Sequence, residues 1–258
     1  MVQALHAVNS DVRAQVSSEE WQVRVDLAAA YRLVDHYGWT DMIFTHLSAR
    51  VPGPEHHFLI NPYGLMFDEV SASNLVKIDL DGNLVMASEY EVNPAGFCIH
   101  SAIHMSREDA RAVMHLHTDD GVAVSAMSEG LLPITQTAMV MQSQIAYHEY
   151  EGVALDLSER ERLVKDIGDK KLMILRNHGT LAVGNTVSDC FMWLYTLERA
   201  CSMQVRAMVS RALHQPSAAS LETTRRQGQS LMAAGKLDVL AWPALLRMLD
   251  RKDASYRS

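Results

Sequence analysis

Apolar residues recur every three to four positions from Val23 through Leu27, Ala30 and Tyr31 to Val34, the period of a helix with one buried face. Ser17 and Glu20 have the S-x-x-E spacing of a capping box ahead of it, and Gly38 is a natural stop. Short extended runs follow at residues 45–51 and 57–60, separated by Pro52-Gly53-Pro54, with a second turn at Asn61-Pro62-Tyr63-Gly64. Residues 75–80 and 84–86 read as a hairpin closed by Asp81-Gly82. A polar loop then leads to Asn93-Pro94 and a helix over about 95–106.

The second half repeats this mixture. Residues 112–117 predict a strand, 119–127 a short helix, 145–148 another strand and 158–167 a charged surface helix. The apolar run 172–175 has the signature of a buried strand. Asn177-His178-Gly179 ends it, with Gly179 allowing a tight turn, and residues 181–183 continue extended. The longest helix is expected over 186–213. The last 40 or so residues suggest a polar stretch, a helix near 241–249 and a charged tail, and residues 1–17 suggest a loose N-terminal tail. Strands and helices intermix with hairpins among them, which predicts an α/β sandwich on a largely antiparallel sheet.

Composition narrows the class. A chain of 258 residues with 48% apolar and 21% charged residues can bury a large core as a soluble globular protein, read here as a single domain over 1–258. The net charge of −8 and the lack of a basic stripe argue against nucleic acid and against an anionic membrane face. Three cysteines, Cys98, Cys190 and Cys201, without CxxC spacing give neither a disulfide framework nor a thiolate metal site. No stretch approaches the roughly 20 apolar residues of a membrane span, and residues 1–20 lack the apolar core of a secretory signal. A cytoplasmic protein is the expectation.

Twelve histidines are the unusual feature. On a strand, His115 and His117 point to one face while Leu116 points into the core, so both imidazoles can converge on one ion. His178, where the buried strand ends, is the best third ligand. Three neutral imidazoles leave a coordination position open, which is the catalytic arrangement. An H-x-H alone is more often two unrelated histidines, and N-H-G alone is weaker. His100 and His104 have the i, i+4 spacing of a helical metal pair but lack the glutamate of H-E-x-x-H, so packing or hydrogen bonding suits them better.

The order of these pieces resembles the class II aldolase/adducin family. The matching stretches are Phe44-Thr45-His46-Leu47-Ser48-Ala49-Arg50, Leu59-Ile60-Asn61-Pro62-Tyr63-Gly64 and Val76-Lys77-Ile78-Asp79-Leu80-Asp81-Gly82. They continue with Ala112-Val113-Met114-His115-Leu116-His117-Thr118 and Leu175-Arg176-Asn177-His178-Gly179-Thr180-Leu181-Ala182-Val183-Gly184. Roughly residues 20–210 are covered, and five motifs in one order are far more specific than any one. The resemblance implies a three-layer α/β/α sandwich, with residues 214–258 as a variable C-terminal extension. It places the family's zinc histidines on His115, His117 and His178, and substrate contacts on Thr45, His46, Asn61, Gly64 and Gly96. It also implies a homotetramer with the site at a subunit interface, where Tyr256, His214 or Glu222 of a neighbour could contribute.

Two departures bear on the reaction. In the family's aldolases the metal polarises a carbonyl and stabilises an enediolate, while a glutamate about twenty residues before the H-x-H shuttles the proton. That position is Gly96 here. The phosphate-binding Gly-Asn pair and Ser-Ser pair read Thr45-His46 and Pro94-Ala95. The substrate expected is therefore a small molecule without a phosphate, an aromatic or keto acid, undergoing aldol cleavage or decarboxylation. His46 and His100 are the candidates to move the proton. Zn2+ is the expected metal, with Mn2+ or Fe2+ as alternatives. A non-heme iron oxygenase is the second reading, and a non-catalytic adducin-like binding module the third.

Overall fold

The computed structural model describes residues 12–152, 158–209, 212–233 and 235–258. Helix α1 (Ser18–His36) starts where the Ser17 hydroxyl accepts from the Glu20 amide at 3.1 Å. Glu19 and Glu20 sit in its first turn, where the helix dipole favours acids. Of the tail expected over 1–17, residues 12–15 form a turn of helix, and residues 1–11 lie outside the described residues.

The centre is a seven-stranded sheet made of β1 (His46–Arg50), β2 (Phe58–Ile60), β3 (Val76–Ile78), β4 (Ala112–Leu116), β5 (Ile145–His148), β6 (Leu172–Leu175) and β7 (Gly179–Gly184). Their order is β3-β2-β1-β4-β7-β6-β5, and only β5 and β6 run parallel. The helices are α2 (Pro94–Ser106), α3 (Asp119–Ser125), α4 (Gln136–Met141), α5 (Glu159–Ile167), α6 (Val187–Ala207), α7 (Ala218–Ala233) and α8 (Lys236–Lys252).

Alternation along the strands divides the sheet into two buried faces. Leu47, Met114, Leu116, Leu172, Ile174 and Ala182 pack with Leu27 and Tyr31 of α1 and with Phe191 and Leu194 of α6. Val113, Met173, Leu175, Leu181 and Val183 pack on the other side against Ile99 and Ile103 of α2 and Leu163 and Ile167 of α5. The result is the three-layer α/β/α sandwich.

The structure corrects several boundaries. The return arm expected at 84–86 shrinks to an Ile78–Leu84 bridge and one bond from Val85 N–H to the Lys77 carbonyl. Leu84 and Val85 are exposed, so no buried face holds a strand there. The helix expected to run to residue 213 stops at Ala207. The described residues of 214–258, expected to hold one helix, hold two α-helices and a short 3-10 turn at Ser255–Arg257. Helix α7 escapes sequence reading because AASLETTRRQGQSLMA has no continuous apolar stripe. Its place is set by Gly228, where an added Cβ would collide with the Val140 carbonyl of α4. Helix α8 begins ahead of the expected 241 and carries Pro243 inside it. It docks through buried Trp242 and Leu249, and the Trp242 indole N–H donates to Asp26 at 3.0 Å.

Candidate metal centre

β4 lies between β1 and β7, with His115 paired to His46 on one side and to Leu181 on the other. β6 and β7 form a tight hairpin in which Leu175 pairs with Gly179, so residues 176–178 are its tip. His178 is thereby delivered to the end of β4. The residue that turns the tip is Asn177, with φ of 55°, rather than Gly179 as expected. Gly179 is needed for a different reason. A Cβ there would strike the Leu116 carbonyl oxygen and crowd the rings of His117 and His115.

The three imidazoles meet. One ring nitrogen from each of His115, His117 and His178 lies within 4.8 Å of the others. Their ring centroids are 4.7, 4.7 and 4.8 Å apart. His115 Nδ1–H donates to the Thr180 carbonyl at 2.9 Å, and His117 Nδ1–H donates to the Asp41 carboxylate at 3.1 Å. Each neutral ring carries one proton, so both Nε2 atoms present lone pairs, and they face each other at 2.9 Å. Two lone pairs at that distance repel unless a cation lies between them. The separation matches two ligands on one ion, about 3 Å for metal–nitrogen bonds of about 2.0–2.1 Å. This donor set fits a divalent metal. Burial holds His115 well below the usual imidazole range, and burial also lowers His178 to about 4, which keeps these rings neutral as ligands must be.

Behind this centre Glu198 of α6 is fully buried and binds the hydroxyls of Thr118 and Thr180, tying the end of β4 to β7. Burial raises its carboxyl to about 7 despite those two hydrogen bonds. On the opposite side His148, at the end of β5, is held by Asp166 at 2.7 Å and Glu159 at 3.3 Å. It lines a narrow cleft together with His178, Ile99 and Arg176.

The other expected residues divide. Thr45 is 1% exposed, has a left-handed φ of 69° and leaves its hydroxyl unpartnered. His46 is 5% exposed with both ring nitrogens unpartnered, and its centroid lies 6.3 Å from that of His115. Gly96 abuts His46, because a Cβ at Gly96 would come within 2.5–2.7 Å of the His46 ring. Asn61 is buried and its side-chain oxygen accepts from Tyr31 at 2.9 Å, an anchoring role between α1 and β2. Gly64 is an exposed turn residue at φ of 100°. His100 and His104 both bond to Ser48. Tyr256 is buried in its own chain, with its hydroxyl donating to Asp250 at 2.8 Å. Glu222 is paired with Arg225, and His214 is exposed. Sequence reading missed Asp41, Glu198, Ser48 and His148. Only Ser48 lay inside a family motif, and a lone acid far along the chain carries no periodic signal.

The characteristic sequence of the class II aldolase and adducin N-terminal domain matches residues 25–205. The chain belongs to the class II aldolase and adducin family. A Caulobacter vibrioides protein named for the class 2 aldolases is 57% identical over 248 residues, covering 95% of both chains. Rat alpha-adducin is 39% identical over 242 residues, covering 88% of this chain and 33% of its own length. A crystal structure of an aldolase II superfamily protein from Pseudomonas syringae superposes with a TM-score of 0.90 at 50% identity, covering 96% of this chain and all of that one. L-fuculose 1-phosphate aldolase from Glaciozyma antarctica superposes at 0.78 with 26% identity, covering 93% and 94%. The class II aldolase fold is therefore present, and His115, His117 and His178 lie together within it. Among the described residues no helix is long and apolar enough to cross a membrane.

Proposed function

We propose that this chain is a metal-dependent lyase of class II aldolase type that acts on a carbonyl substrate lacking a phosphate, by aldol cleavage or decarboxylation. The observation that carries the reading is the pair of Nε2 lone pairs of His115 and His117, 2.9 Å apart beside His178. When bound, the metal supplies Lewis acidity toward a substrate oxygen and leaves a position open on three histidines. We assign it as Zn2+. The protein's own part is to fix the ligand tautomers. The Thr180 carbonyl and the Asp41 carboxylate hold Nδ1–H of His115 and His117, so each ring turns the correct nitrogen inward.

The acid/base group differs from the aldolase pattern. Gly96 supplies no carboxylate, and the space its side chain would enter holds the His46 ring. A reaction that asks little of a protein acid, such as loss of carbon dioxide from a carboxylate beside the polarised carbonyl, suits this site better than one that needs a carboxylate shuttle. His46 is buried with both ring nitrogens unpartnered, so transfer of a phosphate dianion to its side would be costly.

The likeness to alpha-adducin supports a second reading, a binding module without catalysis. Metal content separates the two. Freshly purified protein is expected to hold about one zinc per chain, and His115→Ala to hold none. A wild type that stays metal-free after reconstitution leaves only the binding module, and stoichiometric iron would redirect assays to oxygen chemistry. A homotetramer is part of the proposal and is checked by the mass of the purified protein in solution.

A further inference from the structure

Strand β1 and helix α2 meet along a polar seam. His46 and Ser48 lie two apart on β1 and share a face. Gly96, His100 and His104 lie four apart on α2 and form one stripe. Gly96 meets His46, while His100 and His104 both meet Ser48, at 2.5 and 2.8 Å. All of His46, Ser48, His100 and His104 are buried.

The protons along this seam follow from its far end. The Ala110 carbonyl can only accept, so His104 Nδ1, at 2.8 Å, carries the hydrogen and its Nε2 is a lone pair. Ser48 therefore donates its single hydrogen to His104. His100 Nδ1 must then donate to Ser48, which leaves His100 Nε2 as a bare acceptor. That atom is buried without a partner. His46 lies next to it, ring edge to ring face at 5.6 Å between centroids, with neither nitrogen partnered. A neutral His46 offers one donor and one acceptor. Both rings are buried, where a charged imidazolium would lose its hydration.

We propose that His46 and His100 form a subsite for an uncharged hydroxyl of the substrate, beside the metal triad. A hydroxyl donates to His100 Nε2 and accepts from the His46 N–H, so one small group satisfies both orphaned rings. A carboxylate or a phosphate dianion cannot, because neither has a proton to give His100. Gly96 keeps the His46 ring in place by having no side chain. The subsite deepens the lyase reading by naming what its substrate carries, and it rests on that reading for the position of the carbonyl.

The test uses full-length zinc-loaded protein with 15N-labelled histidine rings and hydroxyacetone as the probe. Acetone lacks the hydroxyl, and hydroxyacetone phosphate carries the charge instead. His100 and His104 are expected as Nδ1–H tautomers in the free protein. Hydroxyacetone should move the His100 Nε2 resonance toward the protonated range, and acetone should not. Acetone should bind about tenfold more weakly or worse, the loss expected when buried polar groups stay unpaired. The phosphate ester should gain nothing over hydroxyacetone. His46→Asn and His100→Phe should remove the hydroxyl preference while retaining zinc. The proposal is overturned by an Nε2–H tautomer at His100, by equal binding of hydroxyacetone and acetone (water only in the seam), or by tighter binding of the phosphate ester. If the wild type takes up no metal, the lyase reading fails by itself, and the ring spectra of the metal-free chain still decide the tautomers and the hydroxyl response.

Discussion

Two glycines carry much of the site at the scale of single residues, for opposite reasons. Gly179 must stay small because backbone from β4 lies where its Cβ would be, and backbone cannot rotate aside. Gly179→Ala is expected to destabilise by about 1–3 kcal/mol and to release the metal, as read by urea midpoint and zinc content. Unchanged zinc with normal stability would refute the close approach. At Gly96 the obstacle is a side chain. Gly96→Ala should therefore cost less stability than Gly179→Ala and should act mainly on the His46 ring resonances. The convergence of His115, His117 and His178 was legible from an H-x-H on a strand and an N-H-G at a strand end once the five family motifs stood in order. The turn geometry was not. Gly179 looked like the pivot, but Asn177 takes the left-handed conformation, because an Asn side chain tolerates it and the glycine is consumed by packing.

Elements show the same division between pattern and context. Helix α1 was legible in its stripe and its Ser17 cap, but the Glu20 carboxylate turns to Arg24 and Lys77 instead of closing a capping box. Its anchorage was not, since Arg24 lies in the buried stripe yet is charged. Arg24 bonds Glu20 at 3.0 Å and the carbonyls of Leu75 and Ala72 at 3.0 and 3.2 Å, and Lys77 also reaches Glu20 at 2.7 Å. Removing one partner of a buried pair strands the other, so Arg24→Ala should lower stability by about 3–5 kcal/mol. Denaturant unfolding checks this, and a loss below about 1 kcal/mol would show that Glu20 finds enough in Lys77 alone. Helix α7 was illegible because its stability comes from a glycine contact with α4 rather than from its own pattern. The β1–α2 seam was half legible, since the i, i+4 histidines were visible but Ser48 between them was an ordinary strand residue.

The whole molecule joins two groups of buried acids and bases with opposite pH signatures. Burial lowers His104 to about 4 and holds His100 well below the usual imidazole range, so the unfolded chain takes up protons below about 6.5 that the folded chain refuses. The contribution of these two histidines to stability should therefore fall as pH drops from about 6.5 toward 4. Glu198 runs the other way. Its folded value near 7 exceeds the ordinary 4.5, so its own contribution to stability should fall as pH rises through that interval. Glu198→Gln is expected to remove this second slope. Denaturant unfolding at a series of pH values should show the variant gaining on the wild type by up to about 1.4 kcal/mol for each pH unit across that interval. Parallel curves for the two proteins would show that Glu198 is already ionised in the fold. The three-layer arrangement was legible from intermixed strands and helices with five ordered motifs. The strand order was not, because β4 pairs with β1 and β7 at long range and local pattern does not encode partners.

The three histidines proposed to hold the metal also set an order of events in time. His115 and His117 leave β4, whereas His178 sits on a hairpin reached only after the chain has passed through α3, α4, β5, α5 and β6. The hairpin itself can close early, since its two strands are local. Bringing it alongside β4 requires the slow step of a fold rich in distant pairings. A chain diluted from denaturant into zinc should thus acquire its full-affinity ion at the rate of global folding, not at the rate of hairpin formation. A chromophoric zinc indicator in the refolding mixture would then serve as a clock for the closing of the central sheet.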